Sequence, residues 1–129
     1  MQTLRRGLFP FLVLLRDDAD FEFVLKRLGE PMKEAEATVQ STNAKVQAAK
    51  EIVEALRQEG LLGNKPFATP LDFKYFDLWH YYGRTTKHGA FMGGADFAQW
   101  HGNYPLLEHT VEIKAIAEEL RRQKDAKGR

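Results

Sequence analysis

Apolar residues recur along the chain at helical spacing, and no segment shows the alternation of a strand. The first such segment carries Phe21, Val24, Leu25 and Leu28, at i, i+3, i+4 and i+7. Acidic residues just before it suit the positive N-terminal end of a helix. Gly29 and Pro31 follow at once and are expected to interrupt the helix. The pattern therefore predicts a short N-terminal segment and helix over 1–30.

A longer helix is predicted over 31–60, with Pro31 in its first turn and Gly60 as its C-terminal stop. Its apolar positions form an a/d stripe over four heptads, and the d positions are small enough for a close helical neighbour. This stripe either packs on another subunit or forms a hairpin within one chain; the spacing does not choose between them. The candidate interface residues are Met32, Val39, Val46, Val53 and Leu56.

A loop rich in Gly and Pro is predicted over 61–70, followed by an aromatic-rich helical region over 71–124. Pro70 and Asp72 open its helix, which is expected to pass Gly83 and to end at Gly93-Gly94. Asp96 is a candidate cap for a short turn. Pro105 is expected to start the last helix, which carries Leu106, Thr110, Ile113, Ala117 and Leu120 on one face.

These segments predict an all-α fold of about four long antiparallel helices, arranged as a helical hairpin or bundle, with an aromatic-rich third helix. The length of 129 residues suits a single helical domain, or a C-terminal fragment of something larger. The apolar run Leu8–Leu15 is too short to span a bilayer. It has the length of a signal-peptide core, but Pro10 interrupts it and no cleavage signal follows, so a signal peptide is not convincing.

Composition removes several functional classes. Nineteen basic residues balance 18 acidic ones, and few basic residues lie among the aromatic ones, which argues against a nucleic-acid partner. The absence of cysteine removes thiolate metal sites, cysteine nucleophiles and covalent haem attachment through CxxCH. The single serine, Ser41, has no glycine elbow, and no phosphate-binding loop is present. His80 and His88 lie eight residues apart, which is not a chelating step, so no metal site is predicted.

The least generic feature is aromatic clustering: eleven of the fifteen aromatic residues and three of the four histidines lie between Phe67 and Tyr104. Such a cluster is either a core of large residues or a surface for a flat partner such as a haem. His80, His101 and Met92 carry the donor atoms that haem iron accepts, but for any single histidine the pattern favours a packed core residue with one hydrogen bond.

The stretch from Pro66 to Leu120 resembles the C-terminal region of the hydroxylamine oxidoreductase-like octahaem cytochromes c. The specific blocks are WHYYGRT, from Trp79 to Thr85, and GADFAQWHG, from Gly94 to Gly102. The helix over 31–60 is also similar to the helical hairpin that precedes this region in the family.

The resemblance implies a periplasmic, mostly helical homotrimer that carries eight c-type haems and exchanges electrons with hydroxylamine, nitrite or hydrazine. In oxidative members, a tyrosine of the segment similar to GGADFAQWHG cross-links to the catalytic haem of a neighbouring subunit. The matching position here is Phe97, which has no phenol oxygen, so the resemblance implies the reductive branch. The residues that it implies lie near haem are Trp79, His80, Tyr82, Met92, Phe97, Trp100, His101 and Tyr104.

The chain departs from this family by having no haem-attachment motif. The resemblance therefore implies a non-catalytic segment that completes the helical shell and subunit contacts, with haem c carried by an upstream portion or a partner subunit. One alternative is a helical oligomerisation module without haem. Another is a small-ligand or metal enzyme, which would rest on Asp77, His80, His101 and Glu108.

Overall fold

The structure, a computed structural model, describes residues 18–128, and within that range all regular structure is helical. Helix α1 is Asp18–Gln58. Helix α2 covers 70–91, where a π-helical segment, Asp77–Tyr82, joins the α-helical segments Pro70–Phe76 and Gly83–Phe91. Helix α3 covers 95–127, where the π-helical segment Gln99–Asn103 joins Ala95–Ala98 to Tyr104–Lys127. The all-α prediction is confirmed; the run Leu8–Leu15 lies outside the described residues.

The described range holds three helices rather than about four, because two prolines lie inside helical runs. Pro31 was expected to start a second helix but lies within α1. Pro31 removes one backbone hydrogen bond, but the backbone hydrogen bonds before and after it keep the helix continuous. Pro105 was expected to start the last helix, and it does lie in the first turn of the α-helical segment Tyr104–Lys127. That segment continues directly from the π-helical turn Gln99–Asn103, so Pro105 does not begin a separate helix. Asp96 lies in the first turn of α3, and Gly94 holds the N-cap position instead.

The predicted C-terminal stop at Gly60 is confirmed. Gly60 has a φ of +72°, in the left-handed region that glycine adopts without steric cost. The Gly60 N–H donates to the Arg57 carbonyl and the Leu61 N–H donates to the Leu56 carbonyl, which is the Schellman pattern. Gly93-Gly94 repeats it at the end of α2, with Gly93 at a φ of +69°.

The predicted start of α2 is also confirmed, and it is built as a capping box. The Asp72 N–H donates to the Thr69 hydroxyl, and the Thr69 N–H donates to the Asp72 carboxylate at 3.0 Å. The same carboxylate accepts a hydrogen bond at 3.0 Å from the Arg57 guanidinium at the end of α1. Burial alone would raise the pKa of Asp72, but these hydrogen bonds outweigh it and lower the pKa below its ordinary value.

The core lies where the C-terminal half of α1 meets α2 and α3. Its completely buried side chains are Leu56 of α1, Leu78 of α2, and Leu106 and Ile113 of α3. The rest of the buried cluster consists of small or aliphatic residues: Ala49, Val53, Leu62, Leu71 and Ala117. Burial of these apolar surfaces is the main term that holds the three helices together.

The two π-helical turns keep α2 and α3 facing this core. Ala98, Gly102 and Leu106 are all buried although they are spaced by four residues. A regular α-helix advances about 400° over four residues, so repeated steps of four would rotate off the core. A wider π turn contains more residues per turn and returns all three to one face.

Helices α2 and α3 pass each other at backbone distance. A Cβ built on Gly102 would lie 2.4 Å from the Thr86 hydroxyl oxygen and 2.7 Å from the Thr86 backbone nitrogen. A Cβ on Gly89 would lie 3.0 Å from the Cβ of Ala98. Thr86 is buried, and its hydroxyl is satisfied by donating to the Tyr82 carbonyl at 2.9 Å. Only small residues permit this crossing.

Polar pairs join the helices at the edges of the core. Arg121 of α3 donates through two nitrogens to the carboxylate of Glu59, just past α1, and this interaction lowers the pKa of Glu59. Lys74 of α2 pairs with Glu112 of α3, and Lys45 of α1 donates to Asn103 at 2.9 Å. These pairs are partly or fully exposed, so they contribute more to alignment than to stability.

The chain divides into two compact units, Met1–Glu34 and Ala35–Arg129. In the described part of the first unit, the Arg27 guanidinium carbon lies 5.3 Å from the ring centroid of an exposed Phe23. Across residues 18–128, no helix is both long enough and apolar enough to cross a bilayer.

Replacement of Gly102 by alanine should destabilise the chain by about 3 kcal/mol, because the new methyl group meets the Thr86 backbone rather than a flexible side chain. Urea unfolding followed by circular dichroism measures the change. Gly63→Ala is the matched control, since a Cβ there has nothing within 4 Å. Equal midpoints for the two variants would show that the crossing tolerates extra volume.

Asp72→Asn should destabilise the chain by about 1–2 kcal/mol at neutral pH, through loss of the charged cap and the Arg57 pair. Because the folded pKa of Asp72 is lowered, its stabilisation is complete above the unfolded pKa and is lost as the pH falls through the folded value. The gap between wild type and variant should therefore narrow below about pH 4. A gap that widens on acidification would contradict this assignment, and urea melts from pH 7 to pH 2.5 measure it.

Candidate functional site

Five aromatic rings at the start of α2 form one exposed cluster, which we call the α2 cluster: Phe67, Phe73, Phe76, Trp79 and His80. The capping box at Thr69 and Asp72 fixes where this part of α2 begins. Phe67 precedes the box with a φ of +54°, a left-handed conformation that is rare for a bulky residue. Its ring packs at 5.3 Å against both Phe73 and Phe76, and these contacts hold the strained backbone.

Contacts continue through the cluster from ring to ring. The imidazole of His80 stacks on Phe76 with centroids 4.7 Å apart and planes 19° apart, and Trp79 meets both rings edge-on. Phe67 and Phe73 remain 50% and 54% exposed, and Trp79 is also exposed. The α2 cluster is therefore a surface of packed rings with one half-buried imidazole, rather than part of the core.

Both Trp-His dipeptides of the chain lie in π-helical turns. Trp79-His80 lies in Asp77–Tyr82, and Trp100-His101 lies in Gln99–Asn103. A π turn reorients the side chains that follow it, and such turns are frequent at functional sites. In both places the tryptophan is exposed, while the core is filled by a neighbouring small or aliphatic residue, Leu78 or Gly102.

The haem-proximal candidates on α3 lie in two adjacent rows. The Phe97 ring lies 5.0 Å from the His101 ring, and the Trp100 ring lies 6.0 Å from the Tyr104 ring. All four residues are exposed. They form a second aromatic surface, and none of the recorded ring contacts among the described residues joins it to the α2 cluster.

Two other haem-proximal candidates have different surroundings. Tyr82 is half-buried against the core and packs edge-on against His109 at 4.9 Å. Met92 lies in the turn between α2 and α3 and is 85% exposed. The eight candidates therefore occupy several places: Trp79 and His80 in the α2 cluster, four residues on α3, one beside the core and one at the turn.

The a/d stripe of α1 faces the chain's own helices over much of its length. Val53 and Leu56 belong to the buried core, and Val46 packs against it. The small d positions Ala35, Thr42 and Ala49 are also buried. Val39 is half-buried and Met32 is exposed. Of the two readings left open by the sequence, packing within the chain accounts for the part from Val46 to Leu56.

The described residues contain no cluster of three or more histidine or carboxylate side chains that could hold a metal ion. Asp77, His80, His101 and Glu108 thus form no metal site. Three carboxylates have a lowered pKa, and each is paired with a basic residue of another structural element: Glu59 with Arg121, Asp72 with Arg57, and Glu112 with Lys74.

The sequence interpretation missed two exposed residues of α3, Leu107 and Val111. It predicted a single apolar face for α3, the one that contains Leu106 and Ile113. The sequence contains a signal for this second face, because its apolar residues are spaced by four, three and four positions: Trp100, Tyr104, Leu107 and Val111.

Comparison of the chain with protein-family models, with curated proteins and with solved structures finds no match.

Phe73→Ser combined with Trp79→Ser should reduce the binding of an apolar fluorescent dye such as 1-anilinonaphthalene-8-sulfonate, because both rings are exposed in the α2 cluster. The free energy of unfolding should fall by no more than about 1 kcal/mol. Leu78→Ala is the contrasting control: its completely buried side chain should cost about 2–5 kcal/mol. Unchanged dye binding in the double variant would show that the cluster is not an accessible apolar surface.

Proposed function

We propose that this chain is a non-catalytic helical segment or subunit of a multihaem cytochrome c of the hydroxylamine oxidoreductase-like family. Its role is to complete the helical shell and the subunit contacts around haems that an upstream portion or partner subunit carries. Two observations support the proposal. One is the resemblance of two sequence blocks, from Trp79 to Thr85 and from Gly94 to Gly102, and the other is the exposure of aromatic residues within those blocks.

The observation that carries the proposal is the exposure of the α2 cluster. A chain that used its large aromatic residues to build a core would bury them, but here the core is aliphatic and the rings face outward. Contiguous exposed apolar surface marks a contact with a partner. Planar rings with one imidazole suit a haem edge and the apolar chain around it.

In this assignment, the haem supplies the redox chemistry and the residues of this chain supply packing. Phe67, Phe73 and Trp79 exclude water from the contact by covering apolar surface. The His80 ring is held in place by stacking on Phe76. The chain has no cysteine, so the haem c groups are attached to the partner.

The direction of electron flow in the proposal rests on Phe97. By the resemblance, this residue matches the position where oxidative members of the family carry a cross-linking tyrosine, and its side chain has no oxygen to form that bond. We therefore propose that the complete assembly reduces nitrite or hydroxylamine. As part of the same proposal, the assembly is periplasmic and trimeric, and its helices form an antiparallel bundle.

A helical interaction module without haem is the second candidate. The stripe on α1 that first suggested it is largely occupied by the chain's own core. A different observation now favours it: α3 carries exposed apolar residues at heptad spacing, from Trp100 to Val111.

Purification of the tagged chain from its native host, followed by a visible spectrum and mass spectrometry of bound proteins, tests the first candidate. We expect a Soret band and a partner rich in CxxCH motifs. Phe73→Glu with Trp79→Glu should reduce recovery of that partner by at least about tenfold, because two charges would be buried in an apolar contact. Ala48→Glu, at an exposed position of α1, should leave recovery unchanged.

A colourless preparation that contains only copies of this chain would overturn the haem assignment and favour the second candidate. Equal loss of the haem partner in Ala48→Glu and in the double variant would show that the α2 cluster is not the contact surface.

A further inference from the structure

Helix α3 is apolar on two opposite faces. One face carries Leu106, Ile113 and Ala117 into the core. The other, which we call the α3 stripe, consists of Trp100, Tyr104, Leu107 and Val111, with exposed fractions between 42% and 65%. At 100° per residue, Leu107 and Val111 point well over 90° away from Ile113, and contact between the Trp100 and Tyr104 rings continues their row.

The spacing of the α3 stripe is that of a coiled-coil seam. Steps of four, three and four residues assign Trp100 and Leu107 to d positions and Tyr104 and Val111 to a positions. A surface helix of a monomer has one such apolar face, and α3 has already used it in the core. The second face therefore indicates a partner helix.

We propose that the α3 stripe binds the α3 stripe of a second copy of this chain, with the two helices antiparallel about a two-fold axis between Pro105 and Leu106. This arrangement places Trp100 against Val111 of the second copy, and Tyr104 against its Leu107. Each layer then combines a large ring with a smaller aliphatic side chain, which fills space evenly. A parallel pair would instead place Trp100 on Trp100 and leave Val111 facing Val111.

The polar residues beside the stripe support the antiparallel choice. His101 and Glu108 occupy the two e positions beside the stripe, on the same side of the helix, and both are exposed. In an antiparallel pair, e positions face e positions, so His101 of each copy lies near Glu108 of the other. The two-fold axis repeats this pair, as an isologous interface requires. An imidazole N–H can donate to a carboxylate, so the surface is complementary to itself in hydrogen bonding as well as in shape.

The size of the surface predicts a weak, reversible dimer. Aromatic side chains offer about 150–250 Å² each, so two half-exposed rings with Leu107 and Val111 present roughly 400–500 Å² per copy. Two copies then bury roughly 800–1,000 Å², which is at or just below the lower limit for a specific interface. Contact between chain ends or flanking polar residues would add to it.

This inference can be tested separately from the haem proposal, whose contact surface is the α2 cluster. It assigns Trp100, His101 and Tyr104, which the resemblance implies lie near haem, to a contact between copies of this chain instead. Sedimentation velocity of the purified full chain over a range of concentrations provides the first test. We expect a monomer–dimer equilibrium. Leu107→Asp should weaken it by at least about tenfold, since the charge occurs twice in one dimer. Phe91→Asp, at an exposed apolar residue outside the stripe, is the matched control and should leave it unchanged.

A charge exchange tests the orientation. His101→Glu should weaken the dimer about three- to tenfold by facing Glu108 of the other copy, and adding Glu108→Lys should restore it. The cysteine-free chain also permits cross-linking: a mixture of His101→Cys chains and Glu108→Cys chains should form a mixed disulfide dimer. Neither chain alone should do so to the same extent.

A monomer at every concentration would overturn the inference, as would a dimer that Leu107→Asp does not weaken. A dimer that Leu107→Asp weakens but that lacks charge rescue and mixed cross-links would overturn the antiparallel arrangement. A monomer that still recovers a haem-bearing partner from the host would separate failure here from failure of the haem proposal.

Discussion

The second unit depends on one steric constraint, the backbone contact between α2 and α3. Gly102 leaves no room for a methyl group above Thr86, and Gly89 is nearly as close to Ala98. Small residues at such a crossing replace the interdigitated side chains that usually separate two helices by 8–10 Å. Large side chains on these helices must then lie to either side of the crossing. The aliphatic ones fill the space towards α1, and most of the aromatic ones face outward.

The π-helical turns serve the same constraint. The turn in α3 lets Ala98, Gly102 and Leu106, which are spaced by four residues, return to one face of the helix. The turn in α2 leaves Leu78 and Gly83, five residues apart, both buried. Each turn also holds a Trp-His pair, and in each the tryptophan is directed away from the core. The aromatic surfaces are thus a consequence of how the core is spaced, as well as a candidate for function.

Helix ends were the most predictable features, because they follow from local chemistry. Gly60, Gly93 and the pair formed by Pro70 and Asp72 act through their own backbone conformation or through residues three positions away. Pro31 was wrongly predicted to start a new helix, whereas Pro105 does open an α-helical segment, although one joined to the preceding π turn. The effect of a proline depends on its context. A proline removes only one hydrogen bond, and whether a helix survives is decided by the bonds around it.

The candidate surfaces were only partly predictable. Clustering between Phe67 and Tyr104 identified the aromatic residues, but composition could not separate exposed rings such as Phe73 from the half-buried Tyr82. That distinction depends on helix rotation, which the unforeseen π turns change. The second apolar face of α3, from Trp100 to Val111, has heptad spacing in the sequence but was not predicted. One apolar face is enough to pack a helix on a core, and that face was already assigned.

The α3 stripe also links the fate of the chain to its cellular concentration. Molecules whose stripe is uncovered present Trp100, Tyr104, Leu107 and Val111 to water, and exposed apolar surface of this kind is what chaperones and proteases act on. If a second copy covers the stripe, the covered fraction rises with the concentration of the chain itself. Chains at low concentration would then be removed, while chains concentrated enough to pair would persist.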